Sequence, residues 1–196
     1  MEKISNAITD FCIRHSQISN ENREIYNYGF KLIFADVINF LIITLFGLCI
    51  GEIIGSVIFL VTLCGIRKFS GGFHAKSFLI CRLSMIATYF LVTIATFFVL
   101  KISRIITVVV FINLASIIGI SLLAPIENVN KKLTTHQVKV NKMRAIVVAT
   151  VLSFTSIVLV FLNYRAEGIT ISITILAVVV LMISGLIEKK GGDSNV

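Results

Sequence analysis

The chain has 196 residues, of which 57% are hydrophobic and only 14% charged, with a formal net charge of +8. Ordinary globular domains carry about 25% charged residues, so a soluble enzyme, a disordered tail and a coiled coil are all poor readings. A single proline and the lack of tryptophan argue against a linker-rich chain of several modules, which leaves a small polytopic membrane protein.

Residues 1–28 place Ile4, Ile8, Phe11 and Cys12 at helical spacing among Asn6, Thr9 and Asp10. That pattern predicts an amphipathic helix lying in the membrane interface. The first apolar run starts too late for a secretory signal. It is Leu32–Ile50, with one acid, Asp36, near its start. Ile53–Ile66 follows with 14 residues, enough for only about 21 Å of helix against roughly 30 Å of hydrocarbon. Leu83–Leu100, Ile105–Ala124, Ala145–Leu162 and Ile169–Ile187 approach full span length and carry no charge between their ends. Gly168 and Gly191–Gly192 read as helix-end punctuation.

Charge decides the short segment, because Lys and Arg gather on the cytoplasmic side of short loops. With six crossings and an inner N-terminus, fifteen of the 18 Lys and Arg face the cytoplasm, against Lys101, Arg104 and Arg165 outside. Without a crossing at Ile53–Ile66 the division is seven against eleven. The expected fold is therefore all-α, a single integral membrane domain over residues 1–196. Its helices lie at about 32–50, 53–66, 83–100, 105–124, 145–162 and 169–187, behind the amphipathic segment 1–28. Both termini are cytoplasmic in this reading. The positive charge then reports topology and contact with anionic membrane lipids. No basic domain interleaved with aromatics points to nucleic acid.

Two polar segments stand out. The first, between the second and third spans, reads RKFSGGFHAKSFLICR from Arg67 to Arg82. A free thiol is only a few per cent thiolate at neutral pH, and a neighbouring His activates it, so His74 and Cys81 are the candidate catalytic pair. On one continuous helix they would stand about 10 Å apart along the axis, so pairing needs a break, expected at Ala75–Phe78. Arg67, Lys68, Lys76 and Arg82 favour the thiolate, and so would a helix starting at Cys81. The Gly71–Gly72 amides, or Arg67, could stabilise an oxyanion. No Asp or Glu lies between Glu52 and Glu127 to orient His74, so a dyad is the economical form. A structural His and a buried Cys would account for the same residues without chemistry.

Cys–His spacings suited to a metal are missing, and no metal or cofactor is expected. Cys12, Cys64 and Cys81 map to the reducing side, which disfavours disulfides. The second polar segment, Ala124 to Arg144, starts with Pro125, a helix stop. Its Lys131, Lys132, Lys139, Lys142 and Arg144 set topology or steer an acidic peptide. Asp36 and Glu52 keep a different class open, a small transporter or peptide exporter, since acids in membranes often mark ion pathways. Both sit near expected helix ends, where an interfacial position explains them more simply. A membrane scaffold without catalysis is a third reading.

The stretch RK-x-S-G-G-x-H-A-K-S-x-x-x-C, Arg67 to Cys81, resembles the accessory gene regulator protein B (AgrB-like) family of bacterial membrane cysteine endopeptidases. The resemblance covers almost the whole chain: a leading amphipathic segment, six hydrophobic helices, and Ala124-Pro125 before a Lys-rich loop. It implies that His74 and Cys81 are the catalytic residues, with Arg67 and Gly72 matching the upstream Arg and Gly. The downstream loop reads Lys131-Lys132-Leu133, departing from the Lys-Pro step of relatives. The implied substrate is a short quorum-sensing propeptide with an amphipathic leader and an acidic tail. Cys81 would cleave it through an acyl-thioester at the cytoplasmic face of the bacterial cell membrane, releasing a cyclic thiolactone or lactone intermediate. Whether the protein works as a homodimer stays open.

Overall fold

The computed structural model describes residues 2–15, 20–71, 78–126 and 134–193. Among them are seven α-helices: α1 (Glu2–Arg14), α2 (Arg23–Cys49), α3 (Ile53–Ser70), α4 (Phe78–Val99), α5 (Ile105–Leu123), α6 (Thr135–Phe161) and α7 (Arg165–Asp193). The last six are each long and apolar enough to cross a membrane, so the protein is an all-α, multi-pass membrane protein. By packing, the chain divides within α2 into Met1–Leu45 and Phe46–Val196.

In the first unit α1 packs its polar stripe, not its apolar one, against α2. Ser5 and Thr9 are fully buried, while Ile4 and Phe11 are exposed. The Ser5 hydroxyl donates to Asn27 Oδ1, and Asn27 Nδ2 donates to Asn6 Oδ1 at 2.7 Å. Arg23 grips Asp10 through Nε at 3.1 Å and Nη2 at 2.8 Å.

In the second unit α7 is the central helix. Its span is 56% buried, against 28–39% for those of α3 to α6, and it packs against all four. Every residue from Gly168 to Ile175 is buried, because neighbours cover this helix on all sides. Gly168 is accordingly not a helix end but a crossing point inside α7. A Cβ there would stand 2.6 Å from the Ser156 carbonyl oxygen of α6. Small residues let membrane helices approach closely in this way. The contact is sealed by the Ser156 hydroxyl, which donates to the Gly168 carbonyl at 2.8 Å and lies 2.5 Å from Ser172 Oγ. Gly191 and Gly192 likewise do not end α7, which continues to Asp193.

Helices outrun the apolar stretches that announce them. α2 starts at Arg23, nine residues before its apolar run, which puts Asp36 well inside the helix and not near its end. α3 continues through Arg67 and Lys68 to Ser70, 18 residues in all, or about 27 Å. Lys and Arg are good helix formers and suit the negative C-terminal end of the dipole, so the short span lengthens without further hydrophobicity. α6 begins ten residues before its apolar run. Thr134 caps it: its hydroxyl accepts from Gln137 N–H at 3.3 Å, and Thr134 N–H donates back to Gln137 Oε1 at 3.0 Å.

Candidate functional site

α3 ends where the first polar segment begins. Gly71 takes φ 69° and ψ −149°, and its N–H donates to the Arg67 carbonyl at 3.2 Å. Positive φ is costly for residues with a Cβ. A second reason for glycine is steric, since a Cβ at 71 would run into the Ile126 carbonyl oxygen. Ile126 N–H in turn donates to the Ser70 carbonyl at 2.9 Å, and Gly71 and Ile126 form an isolated parallel β-bridge.

That bridge joins the two polar segments that the sequence presents as separate. α5 stops at Leu123, Ala124 turns extended, and the chain passes the cis Ala124–Pro125 bond to reach Ile126. Pro125 thus follows the helix end, as expected. Around the bridge, Ser70 and Ile126 are buried. Lys68 Nζ lies 5.7 Å from the Phe69 ring centroid, and the Arg144 guanidinium of α6 lies 5.9 Å from the same ring. This end of the bundle is therefore basic and backbone-locked, with two cations within about 6 Å of the Phe69 ring centroid.

α4 starts at Phe78, which places Cys81 in its first turn and Arg82 just after it. Of the residues singled out from sequence, Arg67 and Gly71 lie at the bridge. His74 and Gly72 fall outside the described residues, as do Lys131, Lys132 and most of the expected break at Ala75–Phe78. Sequence reasoning missed Ile126 and Phe69, and it names Arg144 only as a topology-setting or peptide-steering cation, not as a neighbour of the bridge. Ile126 contributes through its backbone, which leaves no residue-type signature. Phe69 and Arg144 meet only through tertiary packing.

Of the two acids of the exporter reading, Asp36 lies inside α2. Glu52 sits at the start of α3, at the other end of that helix from Gly71, and is exposed. Among the described residues, no group of three His, Cys, Asp or Glu side chains could hold a metal ion.

Comparison with known proteins is consistent over most of the chain. The family described as Accessory gene regulator B matches residues 5–184. A Clostridium perfringens strain 13 protein designated AgrB-like protein 2 is 25% identical over 171 residues, 85% of this chain and 80% of its own length. A second AgrB-like protein, from Clostridium perfringens strain SM101, is 26% identical over 170 residues, 84% of this chain and 79% of its own. No solved structure matches.

Proposed function

The chain belongs to the accessory gene regulator B family, and so has a role in an accessory gene regulator system; we propose that its part there is that of a membrane cysteine endopeptidase acting on a short propeptide. The observation that carries this reading is the position of Cys81 in the first turn of α4, at the bundle end where Gly71 and Ile126 are bridged. Unpaired N–H groups at a helix N-terminus favour thiolate over thiol. Only six residues, 72–77, connect the anchored Gly71 to α4, and His74 is among them.

In the proposed reaction His74 takes the proton of Cys81, and the thiolate attacks a peptide carbonyl of the propeptide. Arg67 and the amide of Gly72 steady the oxyanion, whereas the Gly71 N–H is already given to the Arg67 carbonyl. The intermediate collapses as His74 returns the proton to the departing amine, which carries off the acidic tail. A thioester on Cys81 remains. A Cys or Ser within the peptide then attacks that carbonyl, its proton passes back to Cys81, and a thiolactone or lactone ring closes. Exchange of one thioester for another is nearly balanced in energy, so the ring-closing step to a thiolactone needs no ATP. Exclusion of water at the membrane boundary slows hydrolysis of the intermediate.

Lys131 and Lys132 follow Ile126 closely in the chain, and in this reading attract the acidic tail. The leader lies on the lipid surface, where the outward Ile4 and Phe11 of α1 also suit an interfacial position. The site faces the cytoplasm of a bacterial cell, the side that holds most of the basic residues.

Purified protein in lipid vesicles, given a synthetic propeptide, tests this directly. Wild type should release the tail and accumulate an acyl-enzyme that hydroxylamine cleaves. Cys81→Ala should do neither while keeping its helical circular dichroism. Normal processing by Cys81→Ala would overturn the proposal. Thiol labelling separates a protease from an exporter: Cys81 should react faster than Cys12, Cys49 or Cys64 near neutral pH, and slower once His74→Ala is introduced.

A further inference from the structure

The end of the bundle remote from Gly71 holds a cavity of about 630 Å³ between α3, α4 and α7. That volume is ordinary for a small-molecule site. Its walls are mainly apolar, with Ile53, Phe59, Val92 and Phe97 among them. Besides three threonines, the polar lining consists of Glu52 and Glu167, at the starts of α3 and α7, and Tyr89 from the middle of α4.

Both glutamates suit helix N-termini on dipole grounds, and alone they indicate nothing more. Tyr89 is different. Its side chain is 1% exposed, yet its hydroxyl makes no hydrogen bond of normal geometry, although the Thr93 side chain lies near it. Thr93, one turn on, spends its own proton on the Tyr89 carbonyl at 3.0 Å. Thr96 and Thr170, which also line the cavity, lie 3.4 Å from each other. A buried hydroxyl without a partner is destabilising unless something else supplies one.

Basic residues stand at this end too, though none forms a salt bridge with either glutamate among the described residues. Lys101 lies over the rings of Phe97 and Phe98, 4.2 and 5.9 Å from their centroids. Arg104 and Arg165 line a separate hollow of about 320 Å³ formed with α6. The basic residues of this end are thus placed on aromatic rings or in another depression.

From these observations we infer that the cavity binds an apolar organic cation built like the N-terminal residue of a hydrophobic peptide. Its ammonium sits with Glu52 and Glu167, its hydrocarbon against Phe59 and Val92, and its carbonyl accepts from the Tyr89 hydroxyl. The three functions match three features of the cavity in kind: negative charge, apolar wall and a buried hydroxyl donor. The inference does not depend on cysteine chemistry at the opposite end and holds whichever way the protein faces in the membrane.

Leucyl-phenylalanine amide is a suitable probe, with its N-acetylated form as the uncharged control, titrated calorimetrically against the full chain in lipid nanodiscs. The free amine should bind saturably, one per chain, and acetylation should weaken it about ten-fold or more, the scale of one lost charge contact. Glu52→Gln combined with Glu167→Gln should have an effect of similar size, and Tyr89→Phe should weaken binding several-fold while keeping the helical circular dichroism. Equal binding of the amine and its acetylated form would overturn the inference, since it would signal simple partition into lipid. Wild-type affinity in both variants would overturn it too. Should Tyr89→Phe fail to fold, the acetylation comparison on the wild-type chain decides alone. Cys81→Ala should bind the probe unchanged, so loss of processing and loss of this site are read separately.

Discussion

The two ends of the α3–α7 bundle solve different problems with the same helices. At the Gly71 end, position is set by backbone: Ile126 N–H to the Ser70 carbonyl, Gly71 N–H to the Arg67 carbonyl, and a contact that admits no Cβ. Charge there is basic, supplied by Lys68 and Arg144 beside Phe69 and by Arg67 at the end of α3. At the Glu52 end, side chains of three helices enclose a hollow and the lining charge is acidic. A membrane scaffold can therefore bring chain segments together at one face, where the proposed catalytic residues lie, and keep a preformed cavity at the other. What separates them is whether glycine geometry or side-chain packing fixes the site.

The sharpest way to break that contrast is at Cys81. Its replacement by Ala should remove processing altogether and leave the Glu52 end untouched, measured as tail release against peptide binding. Gly71→Val comes next. Positive φ at a β-branched residue, together with the collision at the Ile126 carbonyl, carries a strain of about 1–3 kcal/mol. The strain should be relieved by parting the two polar segments, not by unfolding helices. Processing should fall by ten-fold or more, with the helical circular dichroism and the thermal midpoint little changed. If Gly71→Val processed propeptide at the wild-type rate, the bridge would have no part in the chemistry.

Parts of this arrangement are legible in the sequence and parts are not, for physical reasons. Six spans can be counted because hydrocarbon demands long apolar runs, and each run forms a helix. Where the helices stop is another matter. Hydropathy marks the portion in lipid, whereas the helix continues wherever the backbone is satisfied. So Arg67–Ser70 extends α3 and Thr135–Arg144 extends α6. One missed signal was readable: Thr134 followed three residues later by Gln137 is a capping-box pattern. The bridge was not, because it is made by backbone groups of residues far apart in the chain. Gly168 was misread as a helix end because a glycine required by a neighbouring helix looks the same in one sequence as a glycine required by a turn.

Gly168 also tests whether the two ends are independent. Gly168→Leu would force α7 away from the Ser156 carbonyl and break the Ser156–Ser172 contact. Overpacking of this kind costs about 1–3 kcal/mol, read as a lower thermal midpoint in detergent. Because Thr170 lines the cavity only two residues on, probe binding should weaken before processing does. Loss of both in parallel would mean that the two sites share one cooperative core.

The smallest expected effect sharpens the comparison from the other side. Thr134→Ala removes the hydroxyl that Gln137 N–H uses, an N-cap change worth about 0.5–2 kcal/mol. Only the first turn of α6 is at risk, and it lies in the extension that the apolar run does not stabilise. Hydrogen exchange should therefore speed up at His136–Val138 while the amides around Ala149 stay protected. Thr134→Ser, which keeps the hydroxyl, should restore protection. Arg144 sits two to three turns further along the same helix and reaches Phe69 beside the bridge, so processing should drop by no more than a few-fold. A larger loss would mean that the cap acts directly on the segment carrying Lys131 and Lys132, making the entry to α6 part of the reactive end and not only its support.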